Sequence, residues 1–140
     1  HTFVGNIKCS YLQGNDLSNN IPLVFMPPNR ISSGLAYHWT KPIKAGKIMR
    51  LTDTKIGVNH STVFEQQNFL LEQDFLAAPP TYHLIGFNAK TTLNTKKYNL
   101  KLSITASNLL NTVYRDFLNR QRYFADEMGR SIIFGIGLKF

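Results

Sequence analysis

The 140-residue sequence predicts an all-β fold, an antiparallel up-and-down meander of six strands, from three observations. Six segments alternate apolar residues with polar or small ones at period two, the spacing that sends successive side chains to opposite faces of a strand. The connections between them are by turns long and short. Aromatic residues collect at the segment ends.

The first segment runs from about Phe3 to Leu12, with Phe3, Gly5, Ile7, Cys9 and Tyr11 opposing Val4, Asn6, Lys8, Ser10 and Leu12. In the second, about Arg30 to Trp39, Ile31, Ser33, Leu35, Tyr37 and Trp39 oppose Ser32, Gly34, Ala36 and His38. The third, about Thr54 to Glu65, sets Ile56, Val58, Thr62 and Phe64 against Lys55, Gly57, Asn59 and Ser61. The fourth spans about Tyr82 to Thr92, with Ile85, Phe87 and Ala89 opposing Gly86, Asn88 and Lys90. The fifth is the most regular: Tyr98, Leu100, Leu102, Ile104 and Ala106 against Asn99, Lys101, Ser103, Thr105 and Ser107. The sixth is Gly129–Phe140, where Ile132, Phe134, Ile136, Leu138 and Phe140 are apolar and Ser131, Ile133, Gly135, Gly137 and Lys139 are mostly small or polar. At about 3.3 Å per residue and a tilt near 45°, that last stretch rises about 28 Å, close to the apolar height of an outer membrane.

The long connections are Gln13–Asn29, Gln66–Thr81 and Asn108–Met128; the Asn94–Lys97 turn is short, and the link between the second and third strands is intermediate. Long loops at one end, short turns at the other, and aromatics at strand ends (Tyr11, Trp39, Phe64, Tyr82, Tyr98) are the pattern of an antiparallel up-and-down transmembrane β-barrel. Structureless loops of that length are unusual in soluble domains. Six strands cannot close a barrel, so the expectation is a barrel segment with two open edges. Two alternatives stand beside it. One is a complete small structural or adhesive outer-membrane barrel, which needs eight strands. The other is a soluble basic β-sandwich that binds a ligand or nucleic acid.

Composition narrows the function. No apolar run reaches 18 residues, which excludes a transmembrane helix and not a barrel strand. The net charge of +8 raises nucleic acid, but the basic residues are scattered, with one local concentration at Lys41, Lys44, Lys47, Arg50 and Lys55. Neither a recognition helix nor an aromatic RNA-binding motif accompanies them, so no nucleic-acid partner is expected. The single cysteine, Cys9, excludes an intrachain disulfide and a multi-Cys zinc site. The chain opens on His1-Thr2-Phe3 without an initiator Met or signal peptide, and is read as a piece of a longer protein.

The block Asn108-Leu109-Leu110-Asn111, then Tyr114-Arg115-Asp116-Phe117, then Met128-Gly129-Arg130 resembles the C-terminal signature of TonB-dependent outer-membrane receptors. In that family an N-L-[FL]-[ND]-x-x-Y segment leaves the penultimate strand and a P/M-G-R turn leads into the last. Met26-Pro27-Pro28-Asn29-Arg30 and Ala78-Pro79-Pro80-Thr81-Tyr82 look like the same family's returns from extracellular loops. The resemblance covers essentially residues 1–140. It implies the last six strands of a roughly 22-stranded barrel in the bacterial outer membrane. The function it implies is TonB-energised import of a scarce chelated nutrient: a siderophore, haem or another metal complex. The family's plug domain and TonB-contacting box are absent from this chain. The partners implied are the remainder of the receptor, the TonB complex acting through the plug, the barrel-assembly machinery and outer-membrane lipid. The terminal Phe140, with Leu138 and Ile136, is the expected assembly signal.

Chemistry-bearing residues are few. His1, His38, His60 and His83 show no i, i+2 or i, i+4 pairing with carboxylates, and Met26, Met49 and Met128 lie far apart, so no metal is expected. Arg115, Arg120, Arg122 and Tyr123 in the last long loop are the candidate contacts to an anionic chelate, since Arg pairs well with such groups. The alternative is a self-compensating loop, since Arg115, Arg120, Arg122 and Arg130 nearly balance Asp116, Asp126 and Glu127; the resemblance implies that structural role, because the family carries these residues whatever its ligand. Asn108 and Asn111 are expected to turn the backbone where the strand ends. Nothing resembles a nucleophile–base pair or a phosphate-binding loop, so neither an enzyme nor a cofactor is expected.

Overall fold

A computed structural model describes residues 1–46 and 48–139, the last without its side chain. The protein is all-β and antiparallel. Its strands are β1 (Thr2–Ser10), β2 (Asn15–Asp16), β3 (Ile21–Pro22), β4 (Arg30–Trp39), β5 (Ile43–Lys44), β6 (Arg50–Val63), β7 (Tyr82–Asn94), β8 (Asn99–Ser107) and β9 (Ser131–Lys139). The six long strands pair in sequence order, β1-β4-β6-β7-β8-β9, as a meander. The sheet is open among the described residues, and β1 and β9 are its edges.

The long connections carry more structure than the sequence indicates. β2 and β3 form a small separate hairpin in the first, and short 3₁₀ turns occupy Leu71–Gln73 and Arg120–Tyr123 in the others. β5 pairs with the start of β6.

One boundary departs from the alternation by more than two residues. The third strand begins at Arg50 rather than Thr54, because the register against β7 shifts between Thr52 and Lys55. Asp53 supplies the extra residue with a φ of 49°, in the left-handed region that Asp tolerates better than most residues. The bulge reverses the phase, so that Leu51 pairs with Leu93 while Ile56 pairs with Ala89, on the same face. It is held by the Thr54 and Thr91 hydroxyls at 2.7 Å and by Asn94 Nδ2 donating to Thr52 Oγ1 at 2.6 Å.

Register sorts the side chains as the alternation does. Across β8 and β9, Leu100 faces Leu138, Leu102 faces Ile136, Ile104 faces Phe134 and Ala106 faces Ile132. The same rows continue through Phe87 and Val58 to Leu35, and through Ala89 and Ile56 to Tyr37 and Phe3. Among the described residues no layer covers this face: Ile136 is 77% exposed, Phe134 74% and Ile7 76%. The opposite face is mostly polar or small, with Asn88 beside Gly57 and Asn59 beside Gly86, and carries Val63, Tyr82 and Leu84 toward the long-loop end and Ile133 on β9.

The buried apolar residues among those described are Val63, Tyr82, Ala106 and Phe117, all at or near the long-loop end. A soluble monomer of 16.0 kDa exposes roughly 7,400 Å² by size scaling, whereas this chain exposes 10099 Å². Two open edges and an uncovered apolar face account for the excess.

Candidate functional site

The three long loops meet above the ends of β6, β7 and β8, and the last of them is tied down at both ends. Asn108 ends β8 with a φ of 47°. Its side chain brackets Thr112, accepting the Thr112 N–H and donating to the Thr112 carbonyl, each at 2.8 Å. Asn111, at φ 56°, accepts the Arg130 N–H at 2.9 Å and so joins the start of the loop to its end. Asn tolerates this backbone region because its amide can replace the lost backbone partners. A Cβ on Gly129 would stand 2.7 Å from Asn111 Oδ1, which explains a glycine there. Both asparagines thus turn the backbone at the strand end, as the sequence indicates.

Between these ties the loop folds around two acids. Asp116 accepts the Tyr82 hydroxyl at 2.8 Å and pairs with Arg30 at 3.4 Å, fastening the loop to the starts of β7 and β4. Asp74, in the preceding loop, receives Arg122 and the Tyr123 hydroxyl and also accepts the Phe75 N–H at 2.7 Å. Burial alone would raise the Asp74 carboxyl, but these hydrogen bonds and the Arg122 charge outweigh it and hold its pKa below the ordinary carboxylate value. The same hydrogen bond, more than burial, pushes the Tyr123 phenol up.

Of the four candidate ligand contacts, most are engaged within the protein. Arg122 is 2% exposed, donates to the Ala77 carbonyl at 3.1 Å, and lies over the Phe117 and Tyr123 rings at 5.0 and 4.9 Å. A contact from its guanidinium to a ligand would require the loop to open. Arg115 pairs with Asp126 at 2.6 Å and donates to the Arg122 carbonyl at 2.8 Å. Tyr123 is held by Asp74. Arg120 differs: it is exposed, and its guanidinium sits over Phe25 of the first loop at 5.5 Å. Arg120 is the candidate left facing outward without a carboxylate among the described residues. Of the expected assembly residues, Ile136 and Leu138 stand exposed on the apolar face. Phe140 lies outside the described residues.

Two clefts flank this knot. One of about 660 Å³ runs between the 76–83 segment and Leu110–Arg115. The other, about 340 Å³, opens on the polar face and is lined by Arg30, Ser61, Tyr82, Tyr114, Asp116 and Glu127 among others. Burial raises the Tyr114 hydroxyl, and the Glu127 and Asp116 charges add to it, so it is a neutral donor. Arg30 is already paired to Asp116, so this cleft offers hydroxyl and carboxylate groups more than a free cation. Sequence reading did not single out Arg30, Tyr82 or Asp116 as partners, since they are separated by 34 to 86 residues and meet through strand pairing alone.

His60 and His83 also meet only in the fold, stacked across β6 and β7 with centroids 5.6 Å apart. His83 Nδ1 bonds the Thr62 hydroxyl at 2.9 Å. Among the described residues no third ligand joins them. Compared with protein-family models, curated proteins and solved structures, the chain matches none.

Proposed function

We propose that this chain forms the last six strands of the barrel of a TonB-dependent receptor that imports a scarce chelated nutrient across the bacterial outer membrane. The observation that carries the reading is the uncovered apolar face of a long-stranded meander. β6 has 14 residues and β7 has 13, against the five or six of an average strand. A surface roughly 2,700 Å² larger than a soluble chain of this mass exposes needs lipid on one side and further strands at the edges.

Support comes also from the polarity of the connections. The loops at one end are knotted to one another through Asp74 and through Gln66, whose side-chain amide donates to the Met26 carbonyl at 2.8 Å, and Asp116 ties the last of them to the starts of β4 and β7. The opposite end has shorter links, residues 40–49 and 95–98. In a barrel receptor the knotted end faces outward and captures ligand with the plug. TonB then draws energy-dependent movement from the plug, which is another part of the protein.

The deciding experiment has two arms. Fractionated cells should hold the protein in the outer membrane in a detergent-extractable, heat-modifiable form. Strains lacking it should lose TonB-dependent uptake of one metal chelate in a panel of ferric siderophores, haem and other complexes. Recovery of the protein in the soluble fraction, or unchanged uptake across the panel, would overturn the proposal.

A further inference from the structure

Charge is divided unevenly along the strand axis. The short-turn half holds eight described cations, within residues 41–55 and 90–101, and one carboxylate, Asp53. His38 engages Asp53 at 3.3 Å. The loop half holds six cations and seven carboxylates and is close to neutral. Among the described side chains the positive charge therefore belongs to one end.

Four of those cations stand in the connections at this end: Lys41 and, within β5, Lys44 between β4 and β6, and Lys96 and Lys97 between β7 and β8. All four are exposed, and among the described residues none enters an ion pair. Next to them on the apolar face is an aromatic cluster. Tyr37 packs on Phe3 at 4.5 Å and on Trp39 at 4.3 Å between centroids. Tyr98, 47% exposed, adjoins Lys97. Along the axis the order is aliphatic, then aromatic, then ammonium, which is the order of hydrocarbon, interface and headgroup phosphate in a lipid leaflet.

We propose that the short-turn rim is a binding surface for net-anionic phospholipid headgroups. The inference rests on the membrane reading above. Lys41, Lys44, Lys96 and Lys97 extend flexible stems from these connections, so their ammonium groups can reach phosphodiester oxygens while Trp39 and Tyr37 lie at the glycerol level. A zwitterionic headgroup brings its own ammonium and offsets the attraction, so the surface selects headgroups of the phosphatidylglycerol kind. An acidic protein segment is the competing occupant. The aromatic border favours lipid, because a peptide docked on the lysines would gain nothing from indole and phenol rings at the edge of an apolar face.

Trp39 is the chain's single tryptophan and stands at this rim, so it can report the result. The protein is reconstituted in phosphatidylcholine vesicles doped with equal small mole fractions of dansyl-phosphatidylglycerol or dansyl-phosphatidylcholine. Energy transfer from Trp39 is read with the Trp39→Phe protein as background. Transfer to the anionic probe should be about threefold stronger or more, and the preference should vanish at about 0.5 M salt and in the Lys41→Gln, Lys44→Gln, Lys96→Gln, Lys97→Gln variant. Equal transfer to both probes in the unaltered protein, or a preference that survives salt, would overturn the lipid surface while leaving the membrane reading intact. Equal transfer is also the outcome expected if an acidic segment occupies the lysines. No transfer to either probe would sink both, since Trp39 would not be at a bilayer. The comparison in the unaltered protein decides the matter even if the lysine variant fails to fold.

Discussion

Arg122 and Asp74, 48 residues apart in the chain, form a buried ion pair with side chains 2% and 3% exposed, and it fastens the last long loop to the one before it. A buried pair of this kind contributes little net stability over an apolar substitute, yet losing one partner leaves the other charge stranded. In Arg122→Ala the Asp74 carboxylate would keep only hydroxyl and backbone donors, and Phe117 and Tyr123 would lose the guanidinium between them. A loss of about 3–5 kcal/mol in local stability is expected. The check is proteolysis of the 108–130 loop together with the amount of protein in the membrane. Arg120→Ala removes only a surface cation over Phe25 and should cost about 0.5–1 kcal/mol. Uptake lost in Arg120→Ala at normal protein level would identify Arg120 as a ligand contact. Uptake lost only in Arg122→Ala, in step with protein level, would assign the loop a structural role.

The same junction sets a pH window. Asp74 has its pKa lowered from 3.8, so its contribution is fully present above that value and is lost as pH falls through the still lower folded pKa. Tyr123 has its pKa raised from 10.0, so its contribution is present below 10.0 and is lost as pH climbs through the folded value. Loop amides should therefore be protected from hydrogen exchange across the neutral range and released at both extremes. Asp74→Asn should abolish the acid limb while the sheet amides stay protected. An unchanged acid limb in that variant would place the titrating group elsewhere.

The two faces of β8 and β9 should respond oppositely to charge. Leu102→Arg or Phe134→Arg puts a guanidinium on the uncovered apolar face, and on the proposed membrane reading should cost about 2–4 kcal/mol near mid-membrane. Ser103→Arg, on the polar face beside Gly135, should cost little. Chemical unfolding of the reconstituted protein measures both, and equal costs would remove the case for a lipid-facing side.

On the polar face, Asn59 lies across Gly86 so closely that a Cβ there would come within 2.6 Å of its Oδ1. Gly86→Ala should therefore destabilise by about 1–3 kcal/mol. Adding Asn59→Ala should recover much of it, because the obstructing group is a side chain and not backbone. A double-mutant cycle with no coupling would show that the glycine is there for another reason.

Strand number, pairing order and facing were legible because the period-two pattern is long and regular in β1, β4, β7, β8 and β9. The loops were less so. Asp74 and Arg122 are ordinary charged residues in sequence, and only a fold that brings their loops together makes one the partner of the other. The counted balance of acids and arginines pointed to a self-compensating loop, but not to the fact that Arg122's carboxylate comes from the preceding loop. The stacking of His60 on His83 was hidden for the same reason: periodicity reads one strand at a time, and this pair depends on the register between two. The first residues of β6 were missed because Asp53 reverses the alternation, making Arg50–Thr52 look out of phase with the strand they belong to.

That reversal makes a sharp test of register. Asp53 and Thr54 together oppose Thr91, so removing Asp53 restores one-to-one pairing without changing which face Leu51 or Ile56 occupies. The deletion also removes the His38 partner, an exposed pair worth roughly 0–1 kcal/mol. Deletion of Asp53 should therefore be tolerated, with folded protein reaching the membrane near its usual level. Deleting Gly57, four residues on and inside the regular ladder, has a different consequence. Every residue from the bulge to Ile56 would exchange faces, setting Lys55 among the apolar rows and Ile56 among the polar ones, because a one-residue slip inverts a strand. That variant should fail to assemble. The measurement is the folded fraction by heat-modified gel mobility after matched expression, and similar outcomes for the two deletions would show that the Asp53 bulge does not set the register of β6.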